Sequence, residues 1–410
     1  MTSISWPIKA SGGNFSVATS LKAQEMYDTN PRIGAQSDNI QGEYLTLITP
    51  RIEIQGDFKK IKIKSDYTLQ SINYSRSYGR DSANHTANLS IDANLSERTL
   101  VSAKETISLR TNDPIIFGNS QRSFAQTNDV IQTYLTNTFS NIASIAVMHS
   151  LNRDTSIELT LFESIYERKS SNLLDSKYDS AELAGRHSFS NKIGIEIKYG
   201  YGYASMTTGN SNSTIADSNS PLDIASDINV NTGNSDVENH YATIGLFGQI
   251  FSKTTISFDA GGSYIPNSSV GKGGVAFVSH GEIKSKFQKS NINLSYSRDI
   301  SMTNSFIATP LVRDTASVNW NINLGRTLNS TIFGQYSSIE RAIASQNVLK
   351  IDSYRVGITG GWDIMSWLET GLGFSYYEQV IGGDSLGEPV SKEIAYLFFK
   401  TALEYKGRRH

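Results

Sequence analysis

Apolar and polar residues alternate with a period of two over one stretch after another of this chain. Lys60-Ile61-Lys62-Ile63-Lys64 and Asn88-Leu89-Ser90-Ile91-Asp92-Ala93-Asn94-Leu95 show the pattern in its barest form. Between Lys192 and Tyr201, Ile193, Ile195, Ile197, Tyr199 and Tyr201 share one face, while Gly194, Glu196, Lys198 and Gly200 share the other. Ala316, Val318, Trp320, Ile322 and Leu324 alternate in the same way with Ser317, Asn319, Asn321 and Asn323. A helix would scatter these apolar residues around its axis, whereas a strand sorts them onto one greasy face and leaves one wet face. Glu105 and Glu163 fall in phase with the apolar face, so either a bulge shifts the phase there or both lie near a membrane interface.

The links between these segments carry a second regularity. Short ones fall near Gly56-Asp57, Ser96-Glu97, Asn152-Asp154, Ser190-Asn191, Ser252-Lys253, Gln288-Ser290, Arg326-Leu328 and Met365-Ser366. Longer polar ones fall between them, near 27–41, 72–84, 111–128, 169–176, 206–238, 267–275, 302–310, 341–350 and 380–390. Strict alternation of short and long links predicts an all-β, transmembrane, antiparallel up-and-down barrel of about 18 strands, with short periplasmic turns and long extracellular loops. A soluble two-sheet sandwich has no need of that alternation and needs a dry core between its sheets. The expected organisation is a periplasmic lead-in at 1–13, the barrel at 14–405 and a tail at 406–410.

Composition agrees with this picture. Only 38% of the 410 residues are hydrophobic, too few for a bundle of membrane helices, and no apolar run reaches the about 18 residues such a helix requires. Barrel strands tolerate this because alternate residues face lipid and lumen. Tyr67, Tyr199, Tyr201, Tyr264, Tyr296, Tyr354, Trp362 and Tyr376 sit on apolar faces near strand ends, as interfacial girdles do. There are no cysteines, which removes disulfides and thiolate chemistry. The net charge of −2 gives no reason to expect a nucleic-acid partner. An outer-membrane location is expected, with the export signal already removed and with lipid and lipopolysaccharide around the wall.

The six histidines form no HExxH or other close pair, and there is no GxSxG elbow, so neither a metal centre, a cofactor nor an enzymatic activity is expected. The chemistry to look for lies on the wet face. Its phase assigns Arg51, Lys60, Lys62, Lys64, Lys198, Lys284 and Arg355 to the lumen, together with the acids Glu53, Asp66, Glu196, Glu282 and Glu369. Lys60, Lys62 and Lys64, three like charges on one face, form the sharpest cluster and could attract an anion. Phe162, Tyr166, Tyr241, Phe247, Tyr377, Tyr396 and Phe398 share the inward phase, either as platforms for sugar rings or as space-fillers. The 206–238 link carries Asp217, Asp223, Asp227, Asp236 and Glu238 without Lys or Arg. It is a constriction, a gate, a weak Ca²⁺ ligand or a solvated surface loop.

Two segments add a family resemblance. Tyr27-Asp28-Thr29-Asn30, after the first strand, and Leu47-Ile48-Thr49-Pro50-Arg51-Ile52-Glu53-Ile54, in the second, resemble elements of the putative β-barrel porins of the second class, including those of PEP-CTERM-associated systems. The order of Asp and Thr is exchanged relative to the family element, and five residues follow Tyr405, where the final alternation ends. The resemblance implies an outer-membrane channel for export of an exopolysaccharide, working with a periplasmic polysaccharide-export protein. The alternative is a general diffusion porin for small polar solutes.

Overall fold

In the computed structural model the described residues are 14–29, 42–76, 81–111, 137–168, 174–190, 192–208, 235–266, 273–301, 311–325, 327–341, 350–382 and 390–406. They form eighteen strands: β1 Asn14–Asp28, β2 Glu43–Asp57, β3 Ile61–Tyr74, β4 Ser82–Asn94, β5 Thr99–Arg110, β6 Thr138–Ser150, β7 Thr155–Arg168, β8 Leu174–Ser188, β9 Ile193–Thr208, β10 Ser235–Phe251, β11 Thr254–Ile265, β12 Gly274–Lys286, β13 Ser290–Ser301, β14 Leu311–Asn323, β15 Leu328–Arg341, β16 Lys350–Met365, β17 Leu368–Gly382 and β18 Val390–Lys406. Each strand pairs antiparallel with the next, and β18 pairs with β1 from Ser16↔Lys406 to Asp28↔Ile394, so the sheet closes on itself. Closure leaves no unpaired strand edge, the condition for a sheet to survive in lipid. The expected lead-in at 1–13 and Asp217, Asp223 and Asp227 of the acidic link lie outside the described residues.

Period-two alternation decides which way each side chain points. Large apolar residues such as Ile52, Leu159, Ile197, Ile244, Leu372 and Phe399 are exposed on the outer surface of the wall. An apolar belt running round the molecule is stable against hydrocarbon and not against water. Toward the long-link end the belt gives way to polar pairs, including Tyr67 Oη with His85 Nδ1 at 2.7 Å, Tyr199 Oη with His240 Nδ1 at 2.9 Å, and Tyr296 Oη donating to Asp314 at 2.7 Å. The register through β4, β5, β6 and β7 is unbroken, so no bulge displaces Glu105 or Glu163. Both face outward, and Lys177 pairs with Glu163 at 2.9 Å.

Bulges occur elsewhere, at the short-link end. The register shifts between Gln249 and Phe251 in β10, and between Asp363 and Met365 in β16. Each extra residue rotates the next side chain to the opposite face. Phe251 and Met365 therefore join Leu95, Leu151, Phe189, Phe287 and Leu324, the exposed apolar residues at the other short turns, on the lipid-facing side. The first turn comes two residues later than expected: Gly56 and Asp57 still pair with Ile63 and Lys62, and Phe58 donates its backbone N–H to Ile61 O at 2.8 Å. The fifth long link is also shorter than its composition suggests. Asp236 and Glu238 belong to β10, in register with Ser205 and Tyr203. Their side chains lie above the apolar belt, where alternation no longer shows as hydrophobicity.

Candidate functional site: the inner wall

The inner wall is the face opposite the apolar belt, and its accessibility is lopsided. Inward residues toward the long-link end are buried: Met26, Leu45, Leu47, Ile72 and Tyr74 in one apolar cluster, Tyr178, Ala204, Met206, Val237 and Ile265 in another. At the short-turn end Gln55, Lys62, Lys64, Lys284, Lys286 and Asp363 are exposed. Among the described residues the wall is therefore most accessible at its short-turn end.

Alternation and register put Arg51, Glu53, Lys62, Lys64, Asp66, Glu196, Lys198, Glu282, Lys284, Arg355 and Glu369 on this inner face. Lys60 differs: it lies in the turn, one residue before β3, with its carbonyl accepting from Asn94 N at 2.8 Å. The charges are largely paired along the wall. Arg51 meets Glu53 at 3.1 Å and Asp66 at 3.3 Å, and Lys64 meets Glu53 at 3.2 Å. Asn88 donates to Asp66 at 3.0 Å, and Thr106 donates to Asn88 Oδ1 at 2.8 Å, which carries the network across β4 and β5. Across the barrel, Arg186 bonds both Glu158 and Glu196 at 2.7 Å. Lys198 then joins Glu196 at 2.5 Å to Asp259 at 3.5 Å. That second ladder alternates sign from β7 to β11, and Gly245 lies in register between Glu196 and Asp259. Glu282 pairs with Lys284 at 3.0 Å, and Glu369 with Lys400 at 3.3 Å. Arg355 stacks over the Phe333 ring with its guanidinium carbon 5.1 Å from the centroid, a contact worth about 0.5–1 kcal/mol.

The inward aromatics follow a rule that sequence inspection missed. Several lie directly opposite an inward glycine on the neighbouring strand: Phe247 opposite Gly194, Tyr241 opposite Gly200, Phe333 opposite Gly357, Phe398 opposite Gly371 and Tyr396 opposite Gly373. The missing side chain lets the ring lie flat on the wall. Tyr241 crosses over Gly200 and donates to Glu182 on β8 at 2.6 Å, and Tyr396 crosses over Gly373 to share a 2.6 Å hydrogen bond with Thr359 on β16. The visible signal was the inward Gly-x-Gly spacing in Gly200-Tyr201-Gly202 and Gly371-Leu372-Gly373.

A Cβ at Gly373 would overlap the Tyr396 ring. Gly373→Val is therefore expected to lift that ring into the lumen and to lower stability by about 1–3 kcal/mol. Thermal unfolding in detergent checks the loss, and an unchanged midpoint would mean that the ring has another place to go.

No protein-family model and no characterised protein's sequence matches the chain. Among solved structures it is similar to OpdQ from Pseudomonas aeruginosa, with a TM-score of 0.47 and 9% identity over 95% of this chain and 98% of that one. It is similar also to the outer membrane protein opdK from the same organism, at 0.44 and 9% over 95% and 99%. The FrpB iron transporter from Neisseria meningitidis in its apoprotein form gives 0.48 and 7% over 95% and 81%.

Proposed function

We propose that the protein is an outer-membrane channel that exports an exopolysaccharide, delivered by a periplasmic polysaccharide-export partner. The short turns of outer-membrane barrels lie in the periplasm and the long loops outside. With that orientation, the observation that carries the reading is the wet part of the lumen opening toward the periplasm, where an exported polymer must enter. Eighteen strands are enough for an aqueous channel. The rings lying over Gly194, Gly200 and Gly373 offer sugar faces an apolar surface on the wall. Between them the wall presents amides and hydroxyls such as Asn291, Asn293, Ser295, Ser317, Asn319 and Asn321 for weak, exchangeable hydrogen bonds.

The test is a clean deletion of the gene with polymer assayed in periplasm and medium. Loss of secreted polymer, restored by complementation and lost again when the lumen is blocked, is the expected result. Unchanged secretion would sink the reading.

A second reading, a general diffusion porin for small polar solutes, is favoured by the pairing of opposite charges along the same wall, which leaves those ladders without a strong ionic preference. Liposome swelling with neutral sugars separates the two: rapid influx of small sugars by the wild-type chain, together with unchanged polymer secretion, supports the porin. Arg186→Met removes the cation between two carboxylates and is expected to shift the reversal potential in asymmetric salt toward cation permeability. An unshifted potential would place that ladder away from the conducting path.

A further inference from the structure

The last residue of each short turn re-enters the ladder before its strand begins. Lys60 O accepts from Asn94 N at 2.8 Å, Arg98 O from Ser150 N at 2.8 Å, Lys192 O from Gln249 N at 2.6 Å, Lys253 O from Lys286 N at 2.8 Å, and Lys289 O from Asn323 N at 2.7 Å. The residues that follow them, Ile61, Thr99, Ile193, Thr254 and Ser290, are in the lipid-facing phase, so alternation turns these five cations toward the mouth of the lumen. At the other three turns the same rung holds Asp154, Thr327 and Trp367. All five cations are exposed, and none makes an ion pair with a described residue.

Two arcs stand out. Lys60, Lys62 and Lys64 gather at β3, while Lys253, Lys284, Lys286 and Lys289 gather around β12. In an 18-stranded closed sheet β3 and β12 lie half a circumference apart, so the arcs face one another across the mouth. Lys64 and Lys284 are paired with Glu53 and Glu282. Lys60, Lys253, Lys286 and Lys289 make no ion pair with a described residue, while Lys62 stands in register between Asp57 and Asp92. Lys253 and Lys286 stand on the same rung of adjacent strands, an arrangement of like charges that is unfavourable by itself and is relieved by an anion between them.

We propose that this mouth is the docking ring for a polyanion, a carboxylate-bearing polysaccharide that enters the lumen between the two lysine arcs. The proposal rests on the export reading and names its substrate class. Lysine suits the task because a flexible point charge holds a carboxylate without fixing its orientation, so the chain can slide. Exposed cations at the rim also raise the local concentration of the opposite charge and speed its capture.

The experiment is equilibrium binding of polygalacturonate, against neutral dextran of equal length, to the full chain in zwitterionic nanodiscs. The variants are the triple reversal Lys60→Glu/Lys253→Glu/Lys289→Glu and, at the opposite end of the barrel, Lys350→Glu. Polygalacturonate is expected to bind at low salt and dextran not. Affinity should fall at least tenfold on raising the salt or reversing the three lysines, and should be unchanged in Lys350→Glu. The heat-modifiable mobility of the folded barrel controls for folding, and the exposed turn positions are chosen to preserve it. Equal binding of both polymers, no binding of polygalacturonate at low salt, or full binding by the triple variant would overturn the proposal. If the deletion strain secretes normally while the ring still binds, the export reading alone falls, and the ring stands as the anion-collecting mouth of a diffusion channel.

Discussion

Asp28→Ala is expected to destabilise the closed barrel by about 3–5 kcal/mol, the cost of leaving one partner of a buried ion pair without the other. Lys392 Nζ lies 2.5 Å from Asp28 Oδ2, with side-chain exposures of only 8% and 5%. The pair spans the seam between the last strand and the first. Beside it the backbone of Thr29 donates to Glu393 O at 3.1 Å, and Glu393 N donates to the Thr29 hydroxyl at 2.9 Å. Removing the carboxylate leaves an ammonium shut away from water at the one place where the wall depends on residues from opposite ends of the chain. Urea unfolding in detergent, read by heat-modifiable mobility, measures the loss. Asp28→Ala/Lys392→Met should recover most of it, because a matched apolar pair removes the stranded charge together with its partner. Failure of the double variant to recover would mean that Asp28 acts chiefly through other bonds.

Ile197→Arg should cost about 2–4 kcal/mol, the penalty for an arginine near the middle of a barrel's lipid face. Ile197 is 56% exposed and stands in register with Ile244, itself 61% exposed, within the apolar belt. Asn319→Arg puts the same side chain on the inner face of β14, among Asn293 and Phe333 in register, and should be nearly neutral. The contrast between the two variants, measured as stability in lipid vesicles, tests which face meets lipid. Equal effects would contradict the assignment of both faces at once.

The strands were legible because lipid on one side and water on the other impose alternation at every rung, and Lys60-Ile61-Lys62-Ile63-Lys64 states it in five residues. The limits of the strands were less so. Asp236 and Glu238 carry no apolar signature, since above the belt both faces of a strand are wet, and they read as loop. The bulges at Phe251 and Met365 were invisible for another reason: an extra residue breaks the period over one step only, within a turn where no period is expected. Of the inner wall, the phase of Arg51, Glu53, Lys64 and Asp66 could be read, but their mutual pairing depends on the register of β2 with β3. The seam pair was beyond reach, because Asp28 and Lys392 meet only once eighteen strands have gone round the circle. Lys253 and Lys289 looked like ordinary turn residues until the ladder bonds placed them on a common rung with Lys60, Arg98 and Lys192.

The seam also sets the order of events in assembly. β1 and β18 are first and last in the chain, so the wall cannot be completed before the final strand has been delivered. Until then every intermediate carries two unsatisfied edges, at β1 and at the latest strand added, and open edges invite pairing with other chains. Joining the two ends closes a loop almost as long as the protein, a slow step by the usual relation between contact distance and rate. Loss of the C-terminal strand would then not yield a slightly smaller barrel; it would leave a curved sheet held permanently at its most aggregation-prone stage.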